Sequence, residues 1–184
     1  MDLDLDNIDL NLLAELQRNG RATNPELSER VHLSPTACFH RVRKLQESGY
    51  ITNFTAILNP AKLNCALMVF VEIVLDRTTP AVFQEFADSV RMHPEILECH
   101  MVAGGFDYLI KARVADMDAY RSFLGNALTQ LPGVRETHTY AVIEEIKADT
   151  TIPLPGVHTR HAKEKQGKGA ASAGLKRRGA RSCV

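Results

Sequence analysis

Residues 34–44, Ser-Pro-Thr-Ala-Cys-Phe-His-Arg-Val-Arg-Lys, set three cations behind Thr36, Ala37 and His40, which are short or polar, with one acid, Glu47, close by. On a helix, Cys38, Val42 and Leu45 share an inward face, and Ala37, His40, Arg41, Arg43 and Lys44 point outward. Short groups near a helix start suit base edges in the major groove, and cations along it suit phosphates. Ser34, Thr36, Ala37, His40, Arg41 and Lys44 are therefore the candidate DNA contacts. The plainer alternative is a solvated helix face with Ser34 as its cap.

A second stretch is Gly104-Gly105-Phe106-Asp107-Tyr108. Phe106, Tyr108, Ile110 and Ala112 alternate, which places Asp107 on the other face of a strand. A carboxylate taken out of water needs a cation. Two glycines just before it let backbone N–H groups approach a ligand. A zwitterion could offer its ammonium to Asp107 and its carboxylate to the turn amides. The alternative is an aspartate that caps a turn or pairs with a nearby cation, beside an ordinary Gly-Gly hairpin turn.

The sequence holds no phosphate-binding loop, GxSxG element or HExxH helix. Cys38, Cys65, Cys99 and Cys183 are scattered, with no CxxC pair. Cys99 and His100 are successive on a strand and face opposite ways, so a shared metal is not expected. Neither catalytic residues nor a metal or cofactor is expected, and the chain reads as a non-enzyme.

The elements around these stretches follow from spacing and caps. Ile8, Leu12, Leu13 and Leu16 predict a helix over 6–18, capped by Asp6 and stopped by Gly20. Asn24-Pro25 predicts a short second helix to Val31, and Ser34-Pro35 a third to Ser48, ended by Gly49. Two capped helices across a three-residue turn suggest a helix-turn-helix. Tyr50–Leu58 reads as an extended wing or the lead into a linker. Beyond it come a strand at 67–75, a helix from Thr79-Pro80, a hairpin of 96–102 and 106–114, a helix from Asp116 to Leu131, and a strand at 134–146. The order βαββαβ is ferredoxin-like. Its strands read as apolar on both faces, so the face away from the helices needs a cover, and a second subunit is the simplest one.

The 184 residues are 45% hydrophobic and 24% charged, which excludes a disordered or collagen-like chain. The longest apolar run, Cys65–Val71, is far short of the ~20 residues of a membrane helix. The acidic start, Met1-Asp2-Leu3-Asp4, is not that of a secretory signal, so a cytoplasmic protein is expected. A net charge of zero hides an asymmetry: residues 1–150 carry 14 Lys/Arg against 21 Asp/Glu, and 151–184 carry 8 against 1. That tail, with Pro153, Pro155 and five glycines, is expected to be disordered. It is either a solvated extension or an added non-specific charge for DNA.

The stretches 9–20 (DLNLLAELQRNG), 33–49 (LSPTACFHRVRKLQESG), 98–114 (ECHMVAGGFDYLIKARV) and 131–134 (LPGV), followed by Thr139-Tyr140, together resemble the Lrp/AsnC family of bacterial transcriptional regulators. The resemblance covers about 4–148 and leaves the tail out. It implies an α+β chain: a winged helix-turn-helix domain at 4–58, a linker at 59–65, a ferredoxin-like domain of the RAM type at 66–148, and the basic tail from 149. It implies binding of double-stranded DNA, self-association as a dimer or octamer, no membrane, and a nucleoid-associated place in the cytoplasm. It implies an amino-acid effector, leucine first and proline or another apolar amino acid next. Gly104, Gly105, Asp107, Met117, Tyr120, Thr139, Tyr140 and Val142 occupy the stretches that form the family's effector pocket. The function so implied is amino-acid-responsive transcription regulation, with an architectural nucleoid protein of little effector control as the alternative.

Overall fold

A computed structural model describes residues 4–157. The chain up to Thr55 and the segment from Thr150 form one unit, and Ala56–Asp149 form a second.

The first unit has three helices: α1 (Asn7–Arg18), α2 (Asn24–Arg30) and α3 (Pro35–Glu47). Asp6 caps α1 in a reciprocal box with Asp9, accepting the Asp9 N–H at 2.8 Å. The cap of α2 is Thr23, not Asn24, because Pro25 takes the second helical position rather than the first. Thr23 pairs reciprocally with Glu26, and Asn24 is freed to donate from Nδ2 to the Pro35 carbonyl at 2.7 Å. That bond ties α2 to the start of α3. Ser34 caps α3 by accepting the Ala37 N–H at 3.2 Å. The turn between α2 and α3 needs a left-handed residue, and His32 supplies it at φ 56°. Leu12, Leu13, Leu16, Leu27, Val31, Cys38 and Leu45 form the core. No ladder forms over 51–59, where the sequence suggested a wing or linker lead, and Pro60–Leu63, expected as linker, is a 3-10 turn of the second unit.

The second unit carries β1 (Leu67–Leu75), α4 (Pro80–Val90), β2 (Ile96–Met101), β3 (Tyr108–Val114), α5 (Met117–Asn126) and β4 (Val134–Ala141). The sheet is antiparallel in the order β2-β3-β1-β4. Val71 pairs with Ile110 on one side and Thr139 on the other. Val69, Val71, Ile73, Ile110 and Ala112 face the helices and pack with Phe86, Tyr120, Phe123 and Leu128. Phe86 stacks on Tyr108 with ring centroids 4.4 Å apart.

Three expectations are corrected. Helix α5 ends at Asn126 instead of Leu131, and a short 3-10 turn, Leu128–Gln130, takes Leu128 and Leu131 into the core. Strand β4 ends at Ala141 instead of Ile146, because its partner β1 runs out: the Val142 N–H still reaches the Met68 carbonyl at 2.9 Å. Residues 150–157 are not structureless, since Leu154 packs against the first unit's core. The rest of the tail, with Cys183, lies outside the described residues.

Candidate DNA-binding and ligand-binding sites

Helix α3 presents its N-terminal half to solvent. Ser34, Thr36 and His40 are exposed and Ala37 is half-buried. Phe39 is also exposed, 5.7 Å from the His40 ring in an edge contact. A step of about 100° per residue puts Thr36, Phe39, His40 and Arg43 about the centre of the outward face. Arg41 and Lys44 fall on its flank. Phe39 and Arg43 were not among the candidate contacts, and the same angular arithmetic would have found them. Arg43 is exposed and pairs along the helix with Glu47 at 2.7 Å.

Arg41 is not free. Its Nη1 lies 2.7 Å from Asp6 Oδ2 and 2.8 Å from Asp9 Oδ1, so the guanidinium braces α3 against the start of α1. Hydrogen bonds to Asp9 and then to Asp6 raise the Arg41 pKa further. Asp6 is held below the usual carboxylate range, first by the Asp9 N–H and then by Arg41. Asp4, Asp6 and Asp9 line one shallow cleft with Arg41 and Lys44, a cleft of about 470 Å³. The spacing alone showed Arg41 as an outward cation; its acids lie over thirty residues away in sequence.

In the second unit, the turn between β2 and β3 carries Gly104 and Gly105, both exposed. Neither has a positive φ, and a side chain added at either would meet nothing within 4 Å among the described residues. Asp107 lies just before β3. Its Oδ2 accepts the Leu75 N–H at 2.8 Å, where β1 and β4 slip register between Val74 and Leu75. The carboxylate thus serves the fold, in keeping with the capping alternative, and Oδ1 has no partner among the described residues. Tyr120 is buried and hydrogen-bonds the Thr139 hydroxyl on the helix side of the sheet. Burial pushes the Tyr120 phenol up. Tyr140 pairs with Phe70 on the opposite face and is exposed. Nearby Glu72 raises its pKa by repelling a phenolate. Met117 is exposed in the first turn of α5. Val142 lines a groove of about 230 Å³ with Met68, Arg113 and Glu145. So the eight residues do not line one pocket within a single chain, and Thr139 and Tyr140 are split between faces.

The face away from the helices is mixed, not apolar as expected. Met68, Phe70, Val74 and Leu109 stand among Glu72, Lys111, Arg113 and His138. Lys111 Nζ pairs with Glu98 Oε1, and Arg113 Nη2 with Glu145 Oε2, each at 2.8 Å. Cys99 faces the core and His100 the other way; burial pushes the Cys99 thiol up to about 11. Among the described residues no cluster of His, Cys, Asp and Glu could hold a metal ion, and no helix is long and apolar enough to cross a membrane.

A helix-turn-helix unit with an exposed recognition face, and a βαββαβ unit with an open sheet, define a two-part regulator that reads DNA with one part and a ligand with the other. The sequence matches the winged helix-turn-helix DNA-binding family over residues 5–52 and the Lrp/AsnC ligand binding domain over 68–152. The chain belongs to the Lrp/AsnC family of transcriptional regulators. It is 56% identical over 151 residues to the leucine-responsive regulatory proteins of Klebsiella pneumoniae and Escherichia coli K12, covering 82% of this chain and 92% of each relative. A transcriptional regulator of Neisseria meningitidis, solved in complex with L-Met, is 39% identical with a TM-score of 0.78, over 82% of this chain and 97% of that one. An AsnC-family regulator of Agrobacterium tumefaciens is 30% identical with a TM-score of 0.77, over 81% and 97%.

Proposed function

We propose that the chain is a leucine-responsive regulator of amino-acid metabolism that acts as an oligomer in the cytoplasm, associated with the nucleoid, and that it regulates rather than catalyses. Ser34, Thr36, Ala37 and His40 read base edges from the exposed half of α3, and Lys44 and Arg43 hold phosphates. Arg41 sets the seat of α3 on α1. A second copy covers the open sheet face, giving a dimer, with an octamer as the larger assembly.

The effector is an apolar amino acid, leucine before proline, bound where copies meet. Its ammonium faces Asp107 Oδ1 and its carboxylate the amides of Gly104 and Gly105, with Met117, Tyr120, Thr139, Tyr140 and Val142 supplied around it from more than one copy. The observation that carries this reading is the pair of glycines: among the described residues an added Cβ at either position would meet nothing within 4 Å, so the turn leaves open space beside bare backbone amides that a ligand carboxylate can approach. The L-Met complex of the Neisseria regulator and the names of the closely similar relatives support the ligand class.

The test is isothermal titration of the full chain with a panel of amino acids, with sedimentation of each mixture. Binding of leucine or a similar apolar amino acid with a change in assembly size is expected. Absence of binding by every amino acid overturns the effector reading and favours the architectural role.

A further inference from the structure

Helix α3 turns a large apolar side chain to solvent. Phe39 keeps 52% of its surface exposed, while Cys38, Val42 and Leu45 of the same helix pack into the core of the first unit. Among the described residues Phe39 belongs to neither hydrophobic core. The fold therefore gains little from this ring, and leaving it in water costs free energy that burial against a partner returns.

Its place on the helix says which partner. Phe39 opens the second turn of α3, on the centre of the outward face. A helical side chain leans over the turn before its own, here the turn that carries exposed Thr36. That is the end of the helix that meets base edges in helix-turn-helix proteins. The His40 ring meets Phe39 edge-on, with centroids 5.7 Å apart and planes at 71°, a contact that restrains the phenyl ring.

Charge on this unit points the same way. Residues 1–55 carry six Lys/Arg against eight Asp/Glu. Arg43, the arginine near Phe39 on the outward face, pairs with Glu47, and Arg41 is held by Asp6 and Asp9. The forked guanidinium contact to guanine is thus poorly supplied, and the same face offers a phenyl ring instead. In the major groove the apolar group that marks a base is the C5-methyl of thymine.

We propose that Phe39 is a specificity-determining residue that packs its ring on the C5-methyl group of a thymine in the major groove. The proposal rests on the reading of α3 as the helix that enters that groove. Phe39 then selects an A·T pair at its position with no hydrogen bond to the base.

The test uses the full chain and an operator duplex obtained by in vitro selection, with each thymine replaced in turn by deoxyuridine. That exchange removes the methyl and keeps the O4 acceptor and the base pair. Binding is read by fluorescence anisotropy. At one or more positions the parent should lose about fourfold in affinity, the worth of burying one methyl-sized group. Phe39→Ala should bind the thymine operator about tenfold more weakly, a loss of ~1.4 kcal/mol, and show no uracil penalty at those positions. Phe39→Leu should keep part of the preference for thymine. A random-sequence duplex should bind Phe39→Ala and the parent equally, and the two should match in Tm and in sedimentation. A parent indifferent to uracil at every position overturns the proposal, as do uracil penalties that persist in full in Phe39→Ala. A lowered Tm or a changed assembly in Phe39→Ala also overturns it, and assigns the ring to the fold or to a protein contact. Failure of the α3 reading looks different: Thr36→Ala and His40→Ala, as well as Phe39→Ala, leave operator affinity unchanged.

Discussion

Replacing Asp107 in two ways separates its part in the fold from its part in ligand binding. Its Oδ2 is the acceptor for the Leu75 N–H at 2.8 Å, at the point where β1 and β4 lose register and Leu75 is buried. Asp107→Ala strands that N–H, which costs about 2 kcal/mol. In a chain of this size that lowers Tm by roughly 4–8 °C. Asp107→Asn keeps an oxygen in the same place and gives up only the charge, a cost below about 1 kcal/mol. The charge matters to a ligand ammonium, where a hydrogen bond to a charged group contributes ~1.5–3 kcal/mol. Asp107→Asn should therefore melt close to the parent chain and bind its amino acid about 10–100-fold more weakly. Thermal unfolding and isothermal titration on the same samples read both quantities. An Asn variant that melts as low as the Ala variant refutes the acceptor role. An Asn variant that binds amino acids like the parent refutes the contact between Asp107 and the ammonium.

Four further perturbations have outcomes fixed by the same structure. Arg41→Ala should destabilise the DNA-binding unit by about 1 kcal/mol, and a double-mutant cycle with Asp9→Asn should return most of that as coupling; additivity of the two changes refutes the brace. Because the folded pKa of Asp6 is depressed, its contribution is present above its unfolded value and is lost as pH falls through the folded one. Urea midpoints of the parent should fall more steeply in that acidic window than those of Asp6→Asn; parallel profiles contradict this. His32→Gly should stabilise the chain by about 0.5 kcal/mol, since the left-handed turn at φ 56° strains a side chain that glycine lacks; a lower urea midpoint speaks against it. Gly133→Ala should cost about 2 kcal/mol, because φ is 72° and the added Cβ sits 2.7 Å from Val82 Cγ1; an unchanged Tm is incompatible with that contact.

Local signals in the sequence locate most of the fold. Ser34, Thr79 and Asp116 each cap the helix that their spacing announces, because a cap and its N–H partner lie two or three residues apart. Alternation of Tyr108, Ile110 and Ala112 foretells which face of β3 is buried. The exposed half of α3 is legible for the same reason. What escapes is set by partners distant in the chain. Arg41 meets Asp6 and Asp9, Asp107 meets Leu75, and Gln17 meets Ile152, and no periodicity carries such pairings. The end of β4 escapes too, because a strand stops where its neighbour stops, and β1 begins at Leu67. By composition the tail is structureless from its start, yet Gln17 holds Ile152 and Leu154 packs against the helix core.

Whether an amino acid changes DNA binding is the most direct question to put to this regulator. The experiment is a fluorescence anisotropy titration of the full chain on a selected operator duplex at fixed salt, without and with a saturating amino acid from a panel that includes leucine and proline. A several-fold shift in Kd or a change in cooperativity with leucine or a similar apolar amino acid, abolished by Asp107→Asn, is the predicted result. Superimposable isotherms across the whole panel contradict the effector-linked mechanism and leave a DNA-binding protein without amino-acid control.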